Sequence, residues 1–395
     1  MAAGYKLIYM QNYFIVIAYV IAFVSCTSKK SSAPSVPQSD EKNIDALFAK
    51  YQLEKIKLPK DFFISVYAEV PNARSMALSP SGVLYVGNRS EDKVYAVTDE
   101  NKDGKADKVY VIAKGLNTPN GVAFKDGDLY IATISEILKL PNIETSLSNP
   151  PTPVTIYNKY PTDKHHGWKF IAFGPDGKLY VPVGAPCNVC EKKNPAYSSI
   201  TRINADGTGY EVYAHGIRNT VGFTWHPVTK NLWFTDNGRD MMGDDMPGDE
   251  LNTAPTANMH FGFPYCHQGN TLDPEYGKGK KCEDYTPPVQ ILGAHVAALG
   301  IRFYEGKMFP AEYLQQAFIA EHGSWNRSEP VGYKISLVQL DAEGKSLGIT
   351  DFATGWLQPD GKVLGRPVDL QIMPDGSMLV SDDYSGVIYK ISYKK

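Results

Sequence analysis

All eight histidines lie between His165 and His322, which concentrates the chain's proton-transfer chemistry in its middle. A neutral imidazole is well matched to accept a proton near pH 7. The pair His165-His166 stands just before the apolar run Phe170-Ile171-Ala172-Phe173, at the start of a strand. The pair offers a general base; its plainer reading is a hydrogen-bonded structural pair. Arg218 and Asn219 stand at the same place before Val221-Gly222-Phe223-Thr224. Together they offer fixed donors for a carboxylate or a quinone oxygen, or else a salt bridge between neighbouring elements. Asp236-Asn237-Gly238-Arg239-Asp240 and Gly248-Asp249-Glu250-Leu251-Asn252 are oxygen-rich and contain glycine, which suits Ca²⁺. A sharper calcium pattern is Asp99, Asn101, Asp103, Gly104 and Asp107, with oxygens at alternate positions and glycine at the bend. Its twelfth position is Tyr110 rather than glutamate, and a solvated hairpin tip is the competing reading. Trp325 offers a stacking face, and Arg327 and Arg366 offer anion contacts.

These residues need a scaffold that brings distant segments together. A turn rich in Pro, Asp and Gly, followed by a short apolar strand, recurs along the chain. It precedes Leu84-Tyr85-Val86, Leu129-Tyr130-Ile131, Leu179-Tyr180-Val181 and Leu232-Trp233-Phe234, at intervals of about 45–53 residues. A weaker copy surrounds Phe318-Ile319-Ala320, and the last is Met373-Pro374-Asp375-Gly376 before Met378-Leu379-Val380. Six copies predict an all-β fold, a six-bladed β-propeller of four-stranded blades with inserted loops. One short helix is expected over residues 42–57, before the first blade.

Composition narrows the function. The 395 residues carry 40 basic and 43 acidic side chains, so no basic excess exists to bind nucleic acid. The apolar stretch Phe14–Val24 is too short to span a bilayer and suits an export signal. It ends Phe23-Val24-Ser25-Cys26, which reads as a lipobox. Residues 1–26 are therefore expected to be a lipoprotein signal peptide, 27–42 a flexible tether and 43–395 a single propeller domain. The body would sit on the periplasmic side of a bacterial membrane, held by its lipid anchor only. Four further cysteines, an even number in an exported chain, predict the local disulfides Cys187–Cys190 and Cys266–Cys282. The alternative for Cys187-x-x-Cys190 is a metal site. Covalent haem is not expected, because Glu191 rather than histidine follows Cys190.

Over residues 55–393 these segments resemble the soluble PQQ-dependent sugar dehydrogenases, above all the sorbosone and aldose sugar dehydrogenase-like branch. The most specific stretches are Lys164–Gly184, Gly216–Asn252 and Phe318–Lys334. The resemblance implies a six-bladed propeller holding pyrroloquinoline quinone (PQQ) and Ca²⁺. It makes His166 the general base, with His165 beside the cofactor where the glucose enzymes carry aspartate. It assigns Arg218 and Asn219 to the quinone oxygens, and the backbone carbonyls of Gly238 and Arg239 to the cofactor's Ca²⁺. Asp249 and Glu250 match a pair implied to hold a second Ca²⁺. Arg366 keeps one of two cofactor arginines, and Val368 stands at the other. Pro119 replaces a glutamine beside Asn120, and Arg327 stands in for a lysine. The implied reaction oxidises an aldose or aldehyde at C1 to a lactone or acid, with electrons passed to an external acceptor. Two other readings are a gluconolactonase-type calcium hydrolase and a ligand-binding propeller without catalysis.

Overall fold

The computed structural model describes residues 46–394. The expected signal peptide, lipobox and tether lie outside the described residues. The described residues gather into one compact unit.

Six blades built on four antiparallel strands follow one another around an axis, as the repeated turns predict, and the third adds a short parallel edge strand, Met259–His260. Blade 1 consists of Ala73–Leu78, Leu84–Asn88, Val94–Thr98 and Lys108–Ala113. Blade 2 consists of Gly121–Lys125, Asp128–Ala132, Ile137–Leu140 and Val154–Tyr157. Blade 3 has Ala172–Phe173, Leu179–Val183, Ser199–Ile203 and Glu211–His215, and blade 4 has Phe223–Trp225, Leu232–Asp236, Gly248–Ala254 and Gln290–Ala294. Blade 5 comprises Ala298–Phe303, Ala317–Glu321, Lys334–Leu340 and Ser346–Ala353. Blade 6 takes three strands from the C-terminal end, Pro367–Ile372, Met378–Asp382 and Val387–Tyr393. Its outer strand is the early segment Phe62–Glu69, paired with Val387–Tyr393. That pairing ties the two ends of the domain together and closes the ring. The turns between first and second strands need left-handed glycines, as at Gly177 (φ 77°) and Gly376 (φ 88°). The expected helix is broken: a helical turn at 46–50 and a 3₁₀ turn at Leu53–Lys55 flank Gln52, whose φ is 51°.

Strand alternation explains how the ring is held. Successive side chains point to opposite faces, so each blade feeds two interfaces. Leu84 and Val86 pack with blade 6, while Tyr85 between them packs with blade 2. The same logic gives an apolar cluster at each of the six blade junctions. Near the axis the blades approach so closely that a side chain at Gly121 would strike the Lys169 carbonyl, and one at Gly222 the Leu299 carbonyl.

The strand registers align one rung across all six blades. Arg74, Lys169, Val221, Leu299 and Val368 each stand four residues before the partner of the second strand's first rung, and Asn120 stands four before Phe124, the partner of Leu129 on the second rung. Arg74, Asn120 and Lys169 make the polar half of this ring. Val221, Leu299 and Val368 pack together, with Trp168 against them, as the apolar half. Val368, where the resemblance leads one to expect a second arginine, is therefore part of an apolar plug in this chain.

Candidate active site at the propeller axis

A cavity of ≈ 470 Å³ opens above this ring. It is walled by the segments that enter the innermost strands and by the loops that leave the second strands. Its size suits a small organic ligand.

His166 enters the cavity from the turn before blade 3. It is buried, and its φ of 51° is unusual for a non-glycine residue. Nδ1 lies 2.8 Å from the Ala185 carbonyl oxygen, which can only accept, so Nδ1 carries the proton and Nε2 keeps its lone pair. Burial, then the Arg218 guanidinium and His165, hold the imidazole well below its ordinary titration range. The ring is therefore neutral at neutral pH. Gly184 packs against it so closely that a β-carbon there would sit 2.6 Å from His166 Cβ. Lys169 Nζ supports the same turn by donating to the Gly167 carbonyl at 2.8 Å. Burial pushes that ammonium down to about 7.

Arg218 and Asn219 turn into the cavity because a buried carboxylate grips their backbone. Asp236 accepts from the Arg218 amide at 2.8 Å and from the Asn219 amide at 2.6 Å. The Arg218 guanidinium pairs with Asp240 at 2.9 Å and donates to the Asn237 carbonyl at 3.3 Å. Asn219 Nδ2 donates to Asn237 Oδ1 at 3.2 Å.

The Gly238 segment is held by Asp249, whose Oδ1 accepts from the Gly238 amide at 2.9 Å. A β-carbon at Gly238 would lie 3.1 Å from the carbonyl oxygens of both Pro247 and Gly248, so any side chain there makes its neighbours give by a few tenths of an ångström. Neither the Gly238 nor the Arg239 carbonyl accepts a hydrogen bond among the described residues. Asn326 also lines the cavity; its Oδ1 is buried without a partner, while its amide donates to Asp240. The Gly238 carbonyl and the Asn326 amide oxygen belong to cavity-lining residues and are oxygens of the kind a hard cation or ligand hydroxyls take.

Arg74, Arg89, Arg218 and Arg366 bring four guanidiniums to the wall, against Asp240 and Asp249 among its carboxylates. Arg89 stacks over Trp168 at 4.0 Å and has no hydrogen bond or ion pair from its guanidinium among the described residues. Arg366 donates to the carbonyls of His322 and Gly323 at 3.0 and 2.7 Å. His322 Nε2 and Arg74 each hold one oxygen of Asp383 at 2.8 Å. Burial holds His322 down to about 4, despite that carboxylate. The wall thus favours an anionic ligand.

His165, His166, Arg218, Asn219, Gly238, Asp249, Trp325 and Arg366 all line this one cavity. Trp325 stands at the mouth with 69% of its surface exposed. Other assignments land elsewhere. Asn120 lies in the ring beneath, bonded to Arg74 and to the Lys169 carbonyl at 2.9 Å each. Arg327 is not in the cavity lining; it ties its own loop to Asp244 and Asp245 on the neighbouring loop. The side chain of Arg239 turns away to Asp273 and Glu275. Asp249 and Glu250 do not share a site, because adjacent strand residues face opposite sides. Asp249 faces the axial cavity, while Glu250 lines a separate small one with Asp236 and His267. Burial, then the Asp236 carboxylate, raises Glu250 to about 8.

The Asp99 loop is the exposed hairpin between the two outer strands of blade 1. Its oxygens are turned onto its own amides: Asp99 accepts from Asp103 and Gly104, and Asp107 from Glu100 and Asn101. The Asn101 amide donates to both Asp103 and Asp107. Among the described residues no group of three or more His, Cys, Asp or Glu side chains converges as a metal site. The Cys187–Cys190 and Cys266–Cys282 disulfides are both present.

Sequence reading missed Arg74, Arg89, Trp168, Asn188 and Asp383. Arg74 was within reach, because aligning the blade turns puts it on the same rung as Asn120 and Lys169.

Solved structures share the fold. The calcium structure of a Trichoderma reesei enzyme of Carbohydrate-Active Enzymes Family AA12 is 19% identical, with a TM-score of 0.74, covering 86% of this chain and 97% of that one. The holo form of the PQQ domain of pyranose dehydrogenase from Coprinopsis cinerea is also 19% identical, with a TM-score of 0.69 over 85% of this chain and 97% of that one. In sequence, an uncharacterized protein of Borreliella burgdorferi is 35% identical over 355 residues, 86% of this chain and 91% of its own. Residues 49–392 match the family described as Domain of unknown function (DUF7133), and the chain belongs to that family.

Proposed function

We propose that the protein is a quinoprotein oxidoreductase that uses PQQ and Ca²⁺ to oxidise an aldose sugar or related aldehyde at C1. The observation that carries this reading is one cavity holding a neutral, tautomer-fixed imidazole, four guanidiniums and the unengaged Gly238 carbonyl segment. PQQ is a flat, multiply anionic quinone, so Arg89, Arg218, Asn219 and Arg366 fit its charge, and the exposed face of Trp325 fits its rings. The carbonyls of Gly238 and Arg239 and the Asn326 side chain would hold the Ca²⁺. When bound, PQQ supplies the two-electron acceptor for a hydride from the sugar's C1.

The chain's own residues supply the rest. Nε2 of His166 takes the proton from the anomeric hydroxyl, or from a hydrated aldehyde, as the C–H bond breaks. The Nδ1 bond to Ala185 keeps that lone pair aimed and strengthens the base as positive charge grows on the ring. Arg218, held on three sides, presents fixed positive charge where negative charge develops on the acceptor, at little reorganisation cost. The buried ring floor excludes water from below. Electrons then leave to an external acceptor. The reading includes export: a lipidated Cys26 would place the body on the periplasmic side, and two disulfides suit an oxidising compartment.

The structural neighbours support this reading by fold and because one is the holo form of a PQQ domain and another a calcium structure. A calcium lactonase would ask for converging side-chain carboxylates, whereas Asp240 and Asp249 here are each spent on protein donors. The test is to load the full-length protein with PQQ and Ca²⁺ and add aldoses and aldehydes with an artificial electron acceptor. Substrate-dependent dye reduction supports the reading. Lactone hydrolysis without dye reduction would replace it with a hydrolase.

A further inference from the structure

The Cys187-x-x-Cys190 motif plays no part in the proposed chemistry, yet its loop touches the site. Asn188, inside the loop, takes two of the Arg218 donors. Its carbonyl accepts from Nε at 2.8 Å, and its Oδ1 accepts from a terminal nitrogen at 2.9 Å. The same Oδ1 accepts from the Asp240 amide at 2.8 Å, and the Asn188 amide donates to the Asp240 carbonyl at 3.0 Å. One side chain thus joins the disulfide loop, the cavity's buried arginine and the segment that carries Gly238 and Arg239. Asparagine suits this post because it both donates and accepts. The loop lies outside the strands, so the hairpin ladder does not fix it; the disulfide does.

We propose that Asn188 is a positioning residue for Arg218 and for the Asn237–Asp240 segment, and that the Cys187–Cys190 disulfide sets its position. The inference rests on the reading of this cavity as the PQQ and Ca²⁺ site. The disulfide closes a loop with a sequence separation of only 3, against 16 for Cys266–Cys282. A short loop loses little chain entropy when cross-linked, so this bond serves the site more than overall stability. Both cysteines are partly exposed, which leaves them open to a dithiol reductant. The exchange balances: a reductant thiolate attacks one sulfur and displaces the other. The reductant's second thiol then closes its own disulfide and frees both cysteines as thiols.

The test uses full-length wild type, C187S/C190S, N188A and, as control, C266S/C282S. PQQ affinity at fixed Ca²⁺ is measured by calorimetry, with melting temperature and amide exchange of segments 184–192, 216–222 and 236–242 followed alongside. The expected result is a loss of PQQ affinity of about tenfold in C187S/C190S and in N188A, the factor expected from losing hydrogen bonds to a charged group. Exchange in the three segments rises while the melting temperature falls less than in C266S/C282S, which keeps wild-type affinity. Adding dithiothreitol to C266S/C282S reproduces the loss. Wild-type affinity and exchange in both variants would overturn the proposal while leaving the PQQ reading intact. If wild type itself binds no PQQ, that reading fails and exchange decides alone: faster exchange in C187S/C190S and N188A upholds the brace, and unchanged exchange overturns it. N188A keeps the test valid should the double variant not fold.

Discussion

Replacing Gly184 with alanine adds one methyl group directly behind the proposed base. The new carbon would stand 2.6 Å from His166 Cβ, 2.9 Å from the His166 carbonyl oxygen and 3.1 Å from Asn219 Oδ1. Ordinary contact begins near 3.4 Å, so His166 must retreat by about 0.8 Å, the difference between 3.4 and 2.6. Gly184 is not among the residues with left-handed φ, so alanine adopts its backbone without strain. The cost is overpacking, about 1–3 kcal/mol of stability. A displacement near 1 Å at a reacting group costs about 100-fold in rate. The assay is dye-linked turnover of G184A loaded with PQQ and Ca²⁺, beside a thermal melt that confirms a folded protein. The reasoning predicts a folded variant with kcat down by about two orders of magnitude, and PQQ affinity reduced less, through Asn219. A folded G184A that turns over like wild type would refute the placement of His166 as the base.

Other consequences follow from the same contacts. His166 is held below the ordinary histidine range, so the base is unprotonated across neutral pH and is lost only as pH falls well below about 6.5. A profile of kcat/KM against pH should be flat through neutrality with its limb in acid; a limb near pH 7 would count against the tautomer and burial described here. Arg74→Met leaves one oxygen of the buried Asp383 without its partner and Asn120 Oδ1 without its donor, which should cost about 3–5 kcal/mol in a denaturant titration. An unchanged midpoint would mean that the ring under the cavity is not a structural element. Deleting residues up to Val70 removes Phe62, Ile64, Val66 and Tyr67 from the closing blade. At about 1.5–3 kcal/mol per buried side chain this exceeds the margin of many domains, so no cooperatively folding protein should be recovered.

The propeller was legible because its signal repeats. Pro-Asp-Gly turns ahead of Leu-Tyr-Val type strands name six blades, and each apolar strand must find a neighbour on both faces. Closure was not legible. The turns flanking Phe62–Glu69 do not lead to its partner, for it pairs with Val387–Tyr393 more than 300 residues away. The site was legible where position relative to a strand decides direction: His166, Arg218, Asn219 and Arg366 all enter first strands. It failed where a loop's path decides. Arg327 has the charge to meet an anion, but its loop folds over Asp244 and Asp245 instead. Asp249 and Glu250 look like one ligand pair in a string, and alternation in Gly248–Ala254 separates them. Asn188 is invisible in sequence because its value lies in four hydrogen bonds to Arg218 and Asp240.

The account stands most directly on what occupies the axial cavity. The decisive measurement is a crystal structure of the protein grown with PQQ and Ca²⁺. The account predicts PQQ between Arg218, Asn219 and Arg366, a calcium ion on the carbonyls of Gly238 and Arg239, and His166 Nε2 facing open space beside the quinone. A cavity without PQQ at saturating cofactor, or calcium bound only away from Gly238, would contradict it.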